Sequence, residues 1–251
     1  MAVKYATTHE VAYYECDVNG TMTFPAMISA SIKVSEEQSD SLNRGTKFVH
    51  SFGLTWILTN YQLEITRLPR VGEVLTIATM AMEYNKYFCY RHFWIEDAFG
   101  NELVKIEAVF ALMDIKNRKM ASVPEEIIAP YESEKVKRIR RYPKIEKIQT
   151  GTYLPYRVRF YDIDSNHHVN NAVYFNWMID VLGRDFLTTH VPVYVIVRYD
   201  KEVEYGNEIT SHFEILPPTK DSDGLIVTRH EIRLGEDLCC EANIKWQKKM
   251  S

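Results

Sequence analysis

"VAYYECDVNGT" at residues 11–21 and "VRFYDIDSNHH" at residues 158–168 align when the chain is slid along itself by 147 positions, Val11 onto Val158. Val, Tyr, Asp and Asn recur at four places, and Tyr13 over Phe160 and Glu15 over Asp162 keep their chemical character. Further along the offset shrinks but the order holds. "RHFWIEDAFGNEL" from Arg91 resembles "RHEIRLGEDL" from Arg229, and "EAVFAL" from Glu107 resembles "EANIKW" from Glu241. One unit of about a hundred residues, the size of a domain, therefore occurs twice. The expected organisation is an N-terminal unit over residues 1–130, a basic linker over 131–150 and a C-terminal unit over 151–251.

Within each unit the periodicity is readable. Tyr156, Val158 and Phe160 alternate with Arg157, Arg159 and Tyr161, the two-residue period of a half-buried strand. Tyr174, Phe175, Trp177, Met178, Val181, Leu182 and Phe186 then fall at helical spacing over most of the circumference, so that helix must be enclosed. Strand-like runs follow: "VPVYVIVRYDKEVEY", "EITSHFEIL", "GLIVTRHEIRL" and "DLCCEANIKWQ". The first unit offers the same series, a helix near 24–43 and strands near 55–65, 74–84, 88–97 and 103–114. A strand, a buried helix and an antiparallel meander describe a sheet wrapped around a helix. The predicted class is α+β, two tandem hotdog domains.

Composition narrows the function. The 251 residues are 46% hydrophobic and 25% charged, with a formal net charge of −4, which disfavours a nucleic-acid partner. No eighteen apolar residues run together and residues 1–10 hold no apolar leader, so a cytoplasmic protein without a membrane span is expected. Cys16, Cys89, Cys239 and Cys240 form no CxxC pair, and the histidines show no HExxH spacing, so neither a disulfide framework nor a metal site is indicated. Neither a G-x-S-x-G elbow nor a Gly-rich phosphate loop occurs, and no cofactor is expected.

The polar cluster that follows Tyr161 is the place for chemistry. Asp164, Asn166 and His168 alternate, and on an extended backbone their side chains point the same way. In the first unit Asp17 and Asn19 survive, but Thr21 and Thr23 stand where the second has His168 and Asn170. The first unit is thus a disarmed version of the second. His167 is out of phase with the trio. His168 alone could equally be a core histidine held by Asp164, but the repeat favours a functional role. The cluster lies where a strand hands over to a helix, with Asn170 or Asn171 suited to cap it. Backbone N–H groups of Val169, Asn170 and Asn171 could receive a developing negative charge there.

"DIDSNHHVNNAVYFNWMID", from Asp162, resembles the signature of the acyl-acyl-carrier-protein thioesterases, D-x-N-x-H-V-N-N followed by Tyr174 and Trp177. "GLTWILTNYQLEITRLPRVGE" and "NRKMASVPEEI" resemble that family's N-terminal hotdog domain. The resemblance implies catalytic roles for Asp164, Asn166 and His168, and for Glu202 in "YDKE" on a later strand. Val203 stands where the family often carries a Cys, which argues against a cysteine-based covalent route. The implied substrate is a fatty acyl chain linked through phosphopantetheine to acyl carrier protein. In such a reaction Glu202 or His168 takes a proton from water, Asp164 orients His168, and Asn166 positions water or substrate.

Two further expectations follow. Small residues on the first helix leave volume around Ile28, Ser31 and Ile32 for the acyl chain, although close packing of that helix is the plain alternative. The linker carries Arg138, Arg140 and Arg141 in a run with a single acid, either a solvated segment or a docking patch for an acidic carrier protein. Rival functions are an acyl-coenzyme A thioesterase, an enoyl-thioester hydratase of the same fold and a non-enzymatic acyl-thioester binder. Homodimerisation is left open.

Overall fold

The structure, a computed structural model, describes residues 2–164, 168–220 and 222–249. In chain order it runs β1 (Lys4–Glu10), α1 (Phe24–Ser41), α2 (Thr46–Ser51), β2 (Leu54–Ile65), β3 (Val74–Tyr84), β4 (Phe88–Glu96), β5 (Glu102–Asp114), β6 (Met120–Ala121), α3 (Glu125–Ile128) and β7 (Glu134–Lys135). It continues β8 (Thr152–Arg157), α4 (Val173–Asp180), α5 (Arg184–Thr189), β9 (His190–Tyr199), β10 (Glu208–Leu216), β11 (Ile226–Leu234) and β12 (Asp237–Lys248).

Ten of these strands form one continuous path, β1-β3-β4-β5-β2-β9-β12-β11-β10-β8. Read from either edge the order is the same, so the sheet is two copies of one five-strand unit joined where β2 meets β9. That seam is antiparallel, with Tyr61 opposite Val197 and Leu63 opposite Val195, all buried. Each unit wraps its sheet around a helix, the hotdog arrangement expected from the sequence. The two helices share one core, with the rings of Phe24 and Phe175 stacked at 5.3 Å. Among the described residues no helix is long and apolar enough to cross a membrane.

Helix α1 starts where the sequence supplies both start signals. The Thr23 hydroxyl accepts the Ala26 N–H, and Pro25 occupies the first turn, where a missing N–H costs nothing. Its buried stripe, Met27, Ile28, Ser31, Val34, Ser35 and Gln38, keeps helical spacing.

The second unit departs from expectation in three places. Its helix is not continuous to Phe186: α4 ends before Gly183, whose φ of 77° breaks the helix, and α5 restarts behind it. The alternation from Tyr156 stops at Val158. Phe160 lies in a short 3-10 turn and is 72% exposed, because the chain must turn there to enter the polar loop. Strand β9 ends at Tyr199, so Glu202 belongs to the loop beyond it and not to a strand.

The basic segment is not a freely solvated strap. β7 pairs parallel with β3, and Ile145 is buried. Arg140 donates to Glu83 at 3.0 Å, lies 3.5 Å from Glu107 and stacks over the Tyr90 ring.

Candidate active site

The polar loop is built by backbone bonds that its sequence permits. Asp162, 2% exposed, accepts the Arg159 N–H at 2.8 Å and pairs with the Arg159 guanidinium, fixing the turn. Its carbonyl takes the Asn170 N–H at 2.9 Å, Ile163 bridges Val169, and the Asp164 N–H donates to the His168 carbonyl at 3.0 Å. Residues 164 and 168 are thereby joined at a narrow neck. Asn166 and His167 lie outside the described residues.

A second segment is sewn to this neck. The Val169 N–H donates to the Val203 carbonyl at 3.2 Å, and Val203 itself is buried in the core. One residue earlier on each segment, His168 Nε2 stands 3.2 Å from Glu202 Oε2. His168 is thus met by Glu202. Asp164 lines a cavity, whose wall it shares with Asn170 and Asn171.

That cavity encloses about 560 Å³. It exists because α1 packs towards β1 and β3 and leaves a gap over the remaining strands of its unit. Ile28 and Ile32 line it from the helix, and Leu58, Tyr61 and Phe110 from the sheet. Ser31 does not. It is buried away from the cavity, and its hydroxyl has no partner among the described residues. Helix phase, unreadable without the sheet, therefore assigns the cavity face to Ile28 and Ile32. The volume is within the range of small-molecule and cofactor sites. Towards α1 the wall is acidic, and burial together with the charges of Asp40 and Asp164 raises the Glu36 carboxyl above its ordinary range.

The expected anion-holding amides are fewer than three. Val169 and Asn170 have already given their N–H groups to Val203 and Asp162. Among the described residues only the Asn171 N–H of these three has no such commitment. Its residue is steadied by Tyr199, whose hydroxyl donates to the Asn171 carbonyl at 2.9 Å. Neither Asn170 nor Asn171 caps α4, whose N-cap is Ala172; the Asn170 side-chain oxygen instead accepts the Ala172 N–H at 2.9 Å, in the turn that leads into the helix.

The corresponding loop of the first unit closes on itself. Asp17 Oδ1 accepts from the backbone of Asn19 and from both the N–H and hydroxyl of Thr21, at 2.9–3.1 Å, and Asn19 donates back to Asp17. With a threonine in the histidine's place, the motif has become a turn. Of the linker arginines, Arg138 and Arg141 are exposed, whereas the Arg140 charge is already answered by Glu83 and Glu107. One residue escaped the sequence reading altogether. Arg118, in the hairpin between β5 and β6, contacts Glu202 Oε2 through its Nη2. Its segment, "NRKMASVPEEI", carried the family resemblance, but nothing local marked the arginine.

Comparison with known proteins yields a consistent set. Residues 2–131 match the family model "Acyl-ACP thioesterase N-terminal domain" and residues 145–248 the model "Acyl-ACP thioesterase C-terminal domain". An acyl-[acyl-carrier-protein] hydrolase of Cuphea viscosissima is 25% identical over 98% of this chain, and an oleoyl-acyl carrier protein thioesterase of Coriandrum sativum is 21% identical over 88%. The chain spans 63% and 64% of the lengths of those two chloroplastic relatives. A crystal structure from Lactobacillus plantarum, provisionally assigned as an oleoyl thioesterase, superposes with a TM-score of 0.95 at 43% identity, covering 100% of this chain and 98% of that one. The 12:0-ACP thioesterase of Umbellularia californica superposes at 0.87 with 18% identity, covering 98% and 94%, a likeness of fold.

Proposed function

The chain belongs to the acyl-ACP thioesterase family, and from its site we propose that it hydrolyses fatty acyl thioesters of acyl carrier protein to free fatty acid and holo-carrier protein. The observation that carries this reading is one loop with two duties. Its described residues bring His168 to Glu202, and Asp164, Asn170 and Asn171 form part of the wall of a cavity beside α1.

The chemistry asks little of the protein. A thiol with a pKa of about 8.5 leaves readily as thiolate, so an activated water and a partner for the oxyanion suffice. In this reading the acyl chain lies along Ile28 and Ile32, and the thioester carbonyl sits at the loop. Glu202 takes a proton from water through Oε1 while Oε2 remains bound to His168. The water oxygen attacks the carbonyl carbon, and the Asn171 N–H receives the oxyanion. On collapse the carbon–sulfur bond breaks and the proton passes to the departing sulfur. Asp164 and Asn166 hold water and substrate in place. Val203 keeps its side chain in the core, which supports a route without a covalent acyl-enzyme.

Exposed Arg138 and Arg141 suit an acidic carrier protein, which electrostatics would steer to this face. Incubation with acyl-carrier protein, acyl-coenzyme A and an enoyl thioester tests the assignment. Free thiol released fastest from the carrier-protein substrate is the expected result. Loss of enoyl absorbance without thiol release would make the protein a hydratase, and binding without turnover a sensor.

A further inference from the structure

We infer that the N-terminal unit supplies a positioning residue to the site of the C-terminal one: Arg118 holds the Glu202 carboxylate in its working orientation. The inference rests on the reading of Glu202 as the base. Arg118 Nη2 and His168 Nε2 both meet the same oxygen, Glu202 Oε2. With two cationic or polar nitrogens against one oxygen the carboxylate cannot rotate freely. Oε1, which accepts no hydrogen bond among the described residues, is then presented to water. Glu202 needs such a clamp because it lies beyond the end of β9, on a loop, with its side chain 42% exposed. Neighbouring cations do not supply it. Lys201 is paired with Asp237, and Arg198 with Asp200 and Glu241.

The backbone at Arg118 points to a role for its side chain. The hairpin is closed by Asp114, whose carboxylate accepts the N–H groups of Lys116 and Asn117 and whose carbonyl accepts that of Arg118. The resulting turn puts Arg118 at φ 53°, in the left-handed region that favours Gly or Asn and penalises other side chains. Strain of this kind collects at functional sites. A glycine would relieve it but would forfeit the reach of the guanidinium across the unit boundary to Glu202. The unit that lost its own histidine thus still completes its partner's site.

The test compares Arg118→Gly, Arg118→Asn and Arg118→Lys with Glu202→Gln, alone and combined, on acyl-carrier protein. Gly and Asn both suit the left-handed turn, so the melting temperature should hold or rise. The expected result is a kcat lowered about ten- to a hundredfold with KM within about twofold, the scale of a misplaced catalytic group. Lysine should restore part of the rate. In the Glu202→Gln background, Arg118→Gly should add almost no further loss. An unchanged kcat in Arg118→Gly and Arg118→Asn, or an equal loss in both backgrounds, overturns the inference. Failure of the underlying reading looks different: Glu202→Gln itself would then turn over normally.

Discussion

The backbone N–H of Val169 reaches the carbonyl of Val203 at 3.2 Å, and this bond sets the histidine before the one against the glutamate before the other. Neither His168 nor Glu202 lies in regular secondary structure, so their meeting depends on this stitch and on the burial of Val203. It also separates Glu202, which faces outward, from position 203, which faces the core. Val203→Cys should therefore leave turnover within about twofold of the unmodified protein, because a thiol there would be desolvated and protonated. An acyl-enzyme trapped on that cysteine with a gain in rate would contradict the geometry.

Ile32 and Ser31 are neighbours on α1 with opposite outlooks. Ile32→Phe fills the cavity and should shift the preferred acyl chain to shorter lengths, since each methylene excluded forfeits about 0.8 kcal/mol. Ser31→Phe should leave the chain-length profile alone and instead overpack the core, at about 1–3 kcal/mol. Chain-length profiles and thermal melts of both variants check this. A profile moved by Ser31→Phe and not by Ile32→Phe would place the acyl chain on the other face of the helix.

The linker arginines divide in the same manner. Reversal of Arg138 and Arg141 to Glu should raise KM for the carrier-protein substrate and spare a small synthetic thioester, and 1 M salt should mimic it because the Debye length falls to about 3 Å. Arg140→Ala should act on stability, because it strands Glu83, whose carboxyl the Arg140 guanidinium holds below its ordinary range. An unchanged KM in the double reversal would return the segment to a scaffold role.

His230 offers a stability prediction independent of catalysis. It is fully enclosed, its Nε2 shares a hydrogen bond with the Thr228 hydroxyl at 2.8 Å, and it has no partner at Nδ1 among the described residues. Burial pushes its pKa down from 6.5 to about 3. Between those values the unfolded chain binds a proton that the folded chain refuses, so this contribution is intact above pH 6.5 and is lost as the pH falls towards 3. Melting temperature should decline less steeply with acidification in His230→Leu. Parallel curves for the two proteins would show that His230 takes no part.

Helix α1 and strands β2 to β5 were legible nearly to the residue because turn residues and two-residue alternation bound the strands, whereas β1 and the short α2, β6 and α3 were not placed. The second unit was harder. Apolar residues at helical spacing continue past Gly183, and only its left-handed φ reveals the break between α4 and α5. Periodicity also carried Glu202 into a strand that ends three residues earlier. The motif located the polar loop, but not which of its amides remained uncommitted, since Val203 and Asp162 consume two of them through contacts that spacing does not encode. Arg118 was invisible for the same reason, being 84 residues from the carboxylate it meets.

Thiol release from acyl-carrier protein by the unmodified protein and by His168→Ala and Glu202→Gln, each shown to be folded, tests the assignment of the site most directly. Hydrolysis by the unmodified protein, with turnover lowered at least about a hundredfold in both variants and little additional loss when they are combined, is the predicted result. Either variant hydrolysing the substrate at the unmodified rate would contradict a site built on the contact between His168 and Glu202.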